Sequence, residues 1–123
     1  ALYQALRLMA FNWLGHNRDD HVKNVSFLME PTGEWRLAPV YDLTWSGGPG
    51  GEHNMTIMGE GRAPQRSHLL MLCERFDLHA RRCEQVIEEV ASAVAQWERV
   101  ATSFAVSAAT RARVLKDLQR CAQ

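Results

Sequence analysis

Asp19, Asn24 and Asp42 are the side chains whose chemistry and spacing suggest joint work. Asp19 and Asn24 stand five positions apart in "DDHVKN", and Asp42 closes "LAPVYD". All three offer oxygen. Such donors suit a hard cation like Mg²⁺, which takes one or two protein oxygens and completes its shell with water and phosphate. A carboxylate beside such a metal can orient a hydroxyl for attack on phosphorus, a reaction whose catalysis is mostly positioning and charge neutralisation. Kinase catalytic loops supply a base and a metal-binding Asn in the spacing D-x-x-x-x-N, and a second metal-binding Asp follows from a strand end nearby. Asp and Asn also favour turns and helix caps for local reasons. The competing reading is therefore three independent turn residues.

The elements between these residues decide whether they can meet. "VSFLME" is a short apolar run, "PTGE" is turn chemistry, and "WRLAPVY" alternates, which predicts a β-hairpin turning at Pro31 and Gly33. Pro39 sits near the strand end, where a missing N–H is tolerated. One strand leaves Asn24 and the other returns to Asp42, so a hairpin brings both ends together. Upstream, Leu2, Leu6, Met9, Ala10, Trp13 and Leu14 recur at helical spacing and predict an amphipathic helix ending near Gly15. Downstream, "SGGPGG" predicts a mobile loop, and polar residues continue to about Gln65. "SHLLMLCERF" starts a helix with Ser67 as cap. Val86, Ile87, Val90, Val94 and Trp97 mark one long amphipathic helix, and "SAATRARVLKDLQRCA" a further one capped near Ser107. The expected fold is mainly α with a small β-hairpin, one domain over 1–123: helix 1–15, catalytic loop and metal-binding hairpin 16–46, loop 47–66, helical bundle 67–123.

Composition narrows the function classes. The 123 residues suit one domain, and 46% apolar with 23% charged residues is ordinary for a soluble globular chain. Fourteen basic and fourteen acidic residues cancel, leaving no basic excess for direct nucleic-acid or anionic-membrane binding. No apolar run approaches the ~18 residues of a membrane span. The first residues lack the basic region and cleavage site of a signal peptide. Cys73, Cys83 and Cys121 are odd in number and form no C-x-x-C, which points to a reduced cytoplasmic setting and away from a zinc site.

Neighbouring polar residues read more plainly. Asp20 is expected to be a solvated or capping carboxylate, and His21 to orient backbone or pack on the first helix, with proton shuttling as the alternative. "GGPGG" lacks the lysine and strand–helix context of a phosphate loop. His53, His68 and His79 are scattered without metal spacing. Arg81 and Arg82 read as a solvated helix face, and Trp13, Trp35 and Trp97 as core.

"NRDDHVKNVSFL" followed by "RLAPVYDLT" resembles the catalytic core of the HipA-like serine/threonine kinases, the toxin half of a bacterial toxin–antitoxin pair. Asp19, His21, Lys23, Asn24 and Ser26 fit the pattern D-x-H-x-K-N-x-S, and Leu37, Pro39, Tyr41 and Asp42 fit L-x-P-x-Y-D. The likeness is strongest over residues 12–45, and "NMTIMGEGR" and "RFDLHARRCEQVIEEV" look like the helical tail of the larger lobe. The resemblance implies the helical C-lobe of a protein-kinase-like fold, with ATP and Mg²⁺ as cofactors. It implies Asp19 as catalytic base, Asn24 and Asp42 as Mg²⁺ ligands, Lys23 neutralising the transferred phosphate, and His21 near the cofactor. Lys23 stands four residues after Asp19, whereas eukaryotic-type kinases place the lysine two after. Asp42 is followed by Leu43 and Thr44, a departure from Phe-Gly that HipA-like proteins share.

The implied partners are a protein substrate, by family resemblance an aminoacyl-tRNA synthetase, and a DNA-binding antitoxin. A nucleotide-covering loop and a strand lysine are also required, and in this family they lie on an N-terminal lobe. Residues 1–123 then read as a fragment of the larger lobe, inactive alone. The alternative from a different class is a non-catalytic helical module that binds an antitoxin or another lobe.

Overall fold

Leu6, Ala10, Trp13 and Leu14 fall on one stripe of the first helix, α1 (Leu2–Leu14), and all four are buried. The stripe packs against α3 (Ala80–Val94), whose buried face is Cys83, Val86, Ile87 and Val90. α2 (Arg66–Arg75) adds Leu69 and Cys73, and Ile57 closes the core from the connecting segment. α4 (Trp97–Ser103) and α5 (Ala108–Cys121) pair with each other, and α5 also meets α1. The computed structural model describes residues 1–122. The fold is mainly helical with one two-stranded antiparallel hairpin, as the spacing predicts.

All three cysteines are free. Burial, with Cys83 alongside, pushes the Cys73 thiol up to about 12, so it behaves as a small apolar side chain.

β1 (Phe27–Met29) and β2 (Trp35–Leu37) pair Phe27 with Leu37, Leu28 with Arg36 and Met29 with Trp35. The Gly33 N–H donates to the Glu30 carbonyl at 2.8 Å, so the turn falls where Pro31 and Gly33 predict it. The strands are much shorter than the alternating sequence suggests, and all their residues but the half-buried Leu37 are exposed. Trp35, expected in the core, is 66% exposed, because no layer covers the hairpin within this chain. Trp13 is buried as expected, and Trp97 is half-buried.

Two helix boundaries differ from expectation. α2 begins one residue before Ser67, with Gln65 as its N-cap; the Gln65 N–H donates to the His68 ring at 2.9 Å. The long helix predicted through Trp97 breaks between Val94 and Trp97. There the Gln96 N–H bonds the Ala93 carbonyl, three residues back, at 3.1 Å, a tightened last turn that redirects the chain. Ser107 caps α5 by accepting from the Thr110 N–H, as expected.

Candidate active site

α1 ends at Gly15, where a Cβ would lie 2.8 Å from the Phe11 carbonyl oxygen, so a side chain there would collide with the helix it terminates. His16 follows in the left-handed region, at φ 52°, and turns the chain inward. The next residues pair with the segment just past Asp42. Ser46 N–H donates to the His16 carbonyl at 2.9 Å, and Arg18 N–H to the Ser46 carbonyl at 3.1 Å. The two ends of the 16–46 stretch are thus stitched together by backbone bonds.

Asp20 corrects the expectation of a solvated or capping carboxylate. It is 6% exposed, and its oxygens face His53 Nδ1 at 3.0 Å and accept from the Asn54 N–H at 2.8 Å and the Met55 N–H at 3.4 Å. His53, equally buried, is therefore not a scattered histidine but the partner of this loop. Arg18 extends the tie: its guanidinium donates to the carbonyls of Gly51 and Arg62. These bonds anchor the glycine-rich segment that composition alone marks as mobile.

His16 is gripped from the other side. Its Nδ1 lies 3.4 Å from Cys121 Sγ, its Nε2 lies 3.7 Å from Asp117, and its ring stacks on Trp45. Burial first, then the Arg18 charge, lowers the His16 pKa, and burial raises that of the Cys121 thiol. A neutral imidazole beside a neutral thiol is not an activated nucleophile.

Beyond Asp20 the chain makes a single 3₁₀ turn, Val22–Asn24. The Asn24 side-chain N–H donates to the Asp19 carbonyl at 3.2 Å, leaving Oδ1 as the amide's remaining donor atom for a metal. Tyr41 closes the other side. Its hydroxyl donates to the Lys23 carbonyl at 3.0 Å and lies 2.7 Å from Ser26 Oγ, while the Ala38 N–H reaches the Ser26 carbonyl at 2.8 Å. Asp42, one residue on, is exposed and left-handed at φ 56°.

Asn24, Asp42 and His21 line one cavity of about 140 Å³ between α1 and the base of the hairpin. Asp19 and Lys23 are not among its lining residues. The Asp19 carboxylate meets His21 Nε2 at 3.0 Å, and Lys23 is exposed. His21 thus touches both Asp19 and the cavity, whose wall includes Leu8 and Met9 of α1. Among the described residues no three His, Cys, Asp or Glu side chains gather as a metal cluster. Mg²⁺ needs no such cluster; one carboxylate and one amide oxygen, with water and phosphate, fit its habits.

The sequence profile of the HipA-like C-terminal domain matches residues 1–97. The chain belongs to that family. Comparison with curated proteins and with solved structures returned no match. Membership puts this HipA-like domain in a kinase-related, toxin–antitoxin context. The match takes in the loop, the hairpin and α3. It leaves out α5, yet α5 supplies the Asp117 and Cys121 that hold His16. No helix of the described residues is long and apolar enough to cross a membrane.

Proposed function

We propose that this domain carries the catalytic loop and metal ligands of a HipA-like serine/threonine protein kinase that uses ATP and Mg²⁺. The supporting observation is the Tyr41 tie, which joins the Lys23–Ser26 turn to the residue before Asp42, with Asn24 and Asp42 lining one cavity. Asn24 Oδ1 and the Asp42 carboxylate would hold the metal, which would supply neutralisation of the nucleotide phosphates. Asp19 accepts the proton of the substrate hydroxyl. His21, at 3.0 Å, fixes the rotamer of that carboxylate. Lys23 meets the transferred phosphate from the exposed side of the turn.

A cavity of about 140 Å³ is below the roughly 300–1,000 Å³ of sites that enclose a small molecule. By the family resemblance the walls for the adenosine and the covering loop lie on an N-terminal lobe, and the domain alone transfers no phosphate at a useful rate. The protein substrate is of the aminoacyl-tRNA synthetase class, the restraining partner is a DNA-binding antitoxin, and the setting is cytoplasmic, which suits three free thiols.

Paramagnetic Mn²⁺, standing in for Mg²⁺, tests the ligand set: amide signals of Asn24 and Asp42 should broaden first, and Asp42→Asn should weaken the effect. Broadening centred elsewhere would remove these two residues as ligands. Joined to its N-terminal lobe, the protein should phosphorylate a protein Ser or Thr, and Asp19→Ala should abolish transfer.

A second reading rests on a different observation. A groove of about 690 Å³ runs between α1, α3 and the hairpin, lined by Leu8, Phe11, Trp35, Leu37 and Val40. That surface suits an interaction module docking another lobe or an antitoxin. Binding without any phosphate transfer by the joined protein would favour it.

A further inference from the structure

Asn24 can offer a metal its Oδ1 only while its Nδ2 is turned the other way. What turns it is the Asp19 carbonyl, which accepts from Nδ2 at 3.2 Å. A carbonyl cannot donate, so a flipped amide would set two oxygens against each other. The same carbonyl accepts from the His21 N–H at 3.0 Å, which closes a three-residue turn with Asp20 at its centre. The direction of the Asp19 carbonyl is therefore set by the backbone at Asp20.

Asp20 in turn is held by its side chain. Its Oδ1 accepts from the Asn54 N–H at 2.8 Å and the Met55 N–H at 3.4 Å, and its Oδ2 faces His53 Nδ1 at 3.0 Å. A carboxylate only accepts, so Nδ1 carries the ring proton. His53 is itself fixed. Its backbone N–H donates to the Gly61 carbonyl at 2.7 Å, and inside that loop Ile57 and Glu60 exchange backbone bonds at 2.9 and 3.0 Å. Ile57 belongs to the hydrophobic core. A line of contacts thus runs from the core through His53 and Asp20 to the amide of Asn24. Asp20 and Met55 line the cavity shared by Asn24 and Asp42, whereas His53 does not, so His53 acts on it from behind.

We infer that His53 is a positioning residue for this candidate metal site: through Asp20 and the Asp19 carbonyl, it keeps Asn24 Oδ1 available to a metal. The inference deepens the reading of Asn24 as a metal ligand and rests on it. Groups that orient a metal ligand change affinity by about 10–100-fold when removed. His53 stands further back than such groups usually do, so the lower end applies.

Two replacements separate the Nδ1 donor from the rest of the side chain. His53→Asn keeps an amide N–H near the place of Nδ1, and His53→Gln carries its amide outward to the place of Nε2. The first measurement is the ¹H–¹⁵N spectrum of the metal-free 123-residue chain, in which Asn24→Ser identifies the Asn24 side-chain signals by their loss. Those signals should hold their wild-type position in His53→Asn and move toward the free-amide position in His53→Gln. Mn²⁺ is then titrated into each protein. Half-saturation of the broadening at Asp42 should rise about tenfold in His53→Gln and stay within about twofold of wild type in His53→Asn. Urea midpoints are recorded alongside, because a purely structural His53 would lower them without moving the Asn24 side-chain signals. His53→Leu stands in, with the same expectation, should His53→Gln lose its spectral dispersion. Asn24 signals unmoved by loss of the donor, or moved equally in His53→Asn, would overturn the inference. Wild-type broadening centred away from Asn24 and Asp42 would instead remove the ligand reading, and the metal-free spectra would still decide whether His53 orients the amide.

Discussion

Two halves of the 16–46 stretch are built on opposite principles. Residues 16–20 carry the polar groups, and they are tied to distant parts of the chain: Ser46 through backbone bonds, residues 53–55 through Asp20, Arg62 through Arg18, and α5 through His16. The hairpin at 27–37 carries Phe27, Leu28, Met29 and Trp35, the residues one expects in a core, and all four are exposed. It is anchored at its base, by Ser26 and Tyr41. Position in this domain is set by long-range polar bonds where chemistry is expected, and apolar surface is left open where a neighbouring body could lie. A two-stranded hairpin is marginal in water by itself, so an uncovered one leans on its anchors.

The comparison breaks most readily at Asp20. Asp20→Ala leaves the buried His53 ring and the part-buried Asn54 and Met55 N–H groups without their acceptor, and should cost about 2–4 kcal/mol in urea unfolding. A loss below about 1 kcal/mol would mean that the loop is held by something else. Gly48 comes next. It is left-handed at φ +75°, and an added Cβ would lie 2.8 Å from Arg18 Cβ and 2.7 Å from the Glu52 carbonyl oxygen. Gly48→Ala should therefore cost about 1–3 kcal/mol in the same assay. A neutral result would return this segment to the mobile class.

His16 sharpens the contrast through pH. Burial holds its folded pKa below the ordinary 6.5, so as pH falls through that value the unfolded chain takes up the proton first. Stability from this group is complete above pH 6.5 and is lost as pH drops toward the folded pKa. Thermal midpoints at about pH 7 and 5 should fall further apart in the wild type than in His16→Asn, which keeps a residue tolerant of the left-handed backbone. Parallel profiles would remove His16 as the cause. The smallest effect belongs to the hairpin: Phe27→Ser, at a side chain 57% exposed, should change stability by no more than about 0.5 kcal/mol. A larger loss would reveal packing on that face.

What could be read from the residues alone follows the same division. α1, the hairpin turn and the Ser107 cap were legible because each is local: a period of apolar positions, a Pro–Gly pair, a hydroxyl before a helix. The likeness of "DDHVKN" and "LAPVYD" to a known family carried the family and the expected ligand set. The Asp20–His53 pair was not legible, since the residues stand 33 apart and neither sits in a pattern. The break at Ala95 and Gln96 was hidden too, because the apolar period runs through it from Val94 to Trp97 and neither residue is a helix breaker. Trp35 misled for a third reason: side-chain type reports a preference for cover, whereas cover depends on which other elements reach it.

The left-handed backbone at Asp42 changes how that residue must be interrogated. At φ 56° the position suits Asp, Asn and Gly, whereas alanine there would add roughly 1 kcal/mol of steric strain. An alanine scan would therefore confuse two losses, a ligand and a bend. Asn retains the bend and removes only the charge, and Gly retains the bend and removes the side chain. Read side by side, those two replacements let a biochemist credit a phenotype to the carboxylate itself.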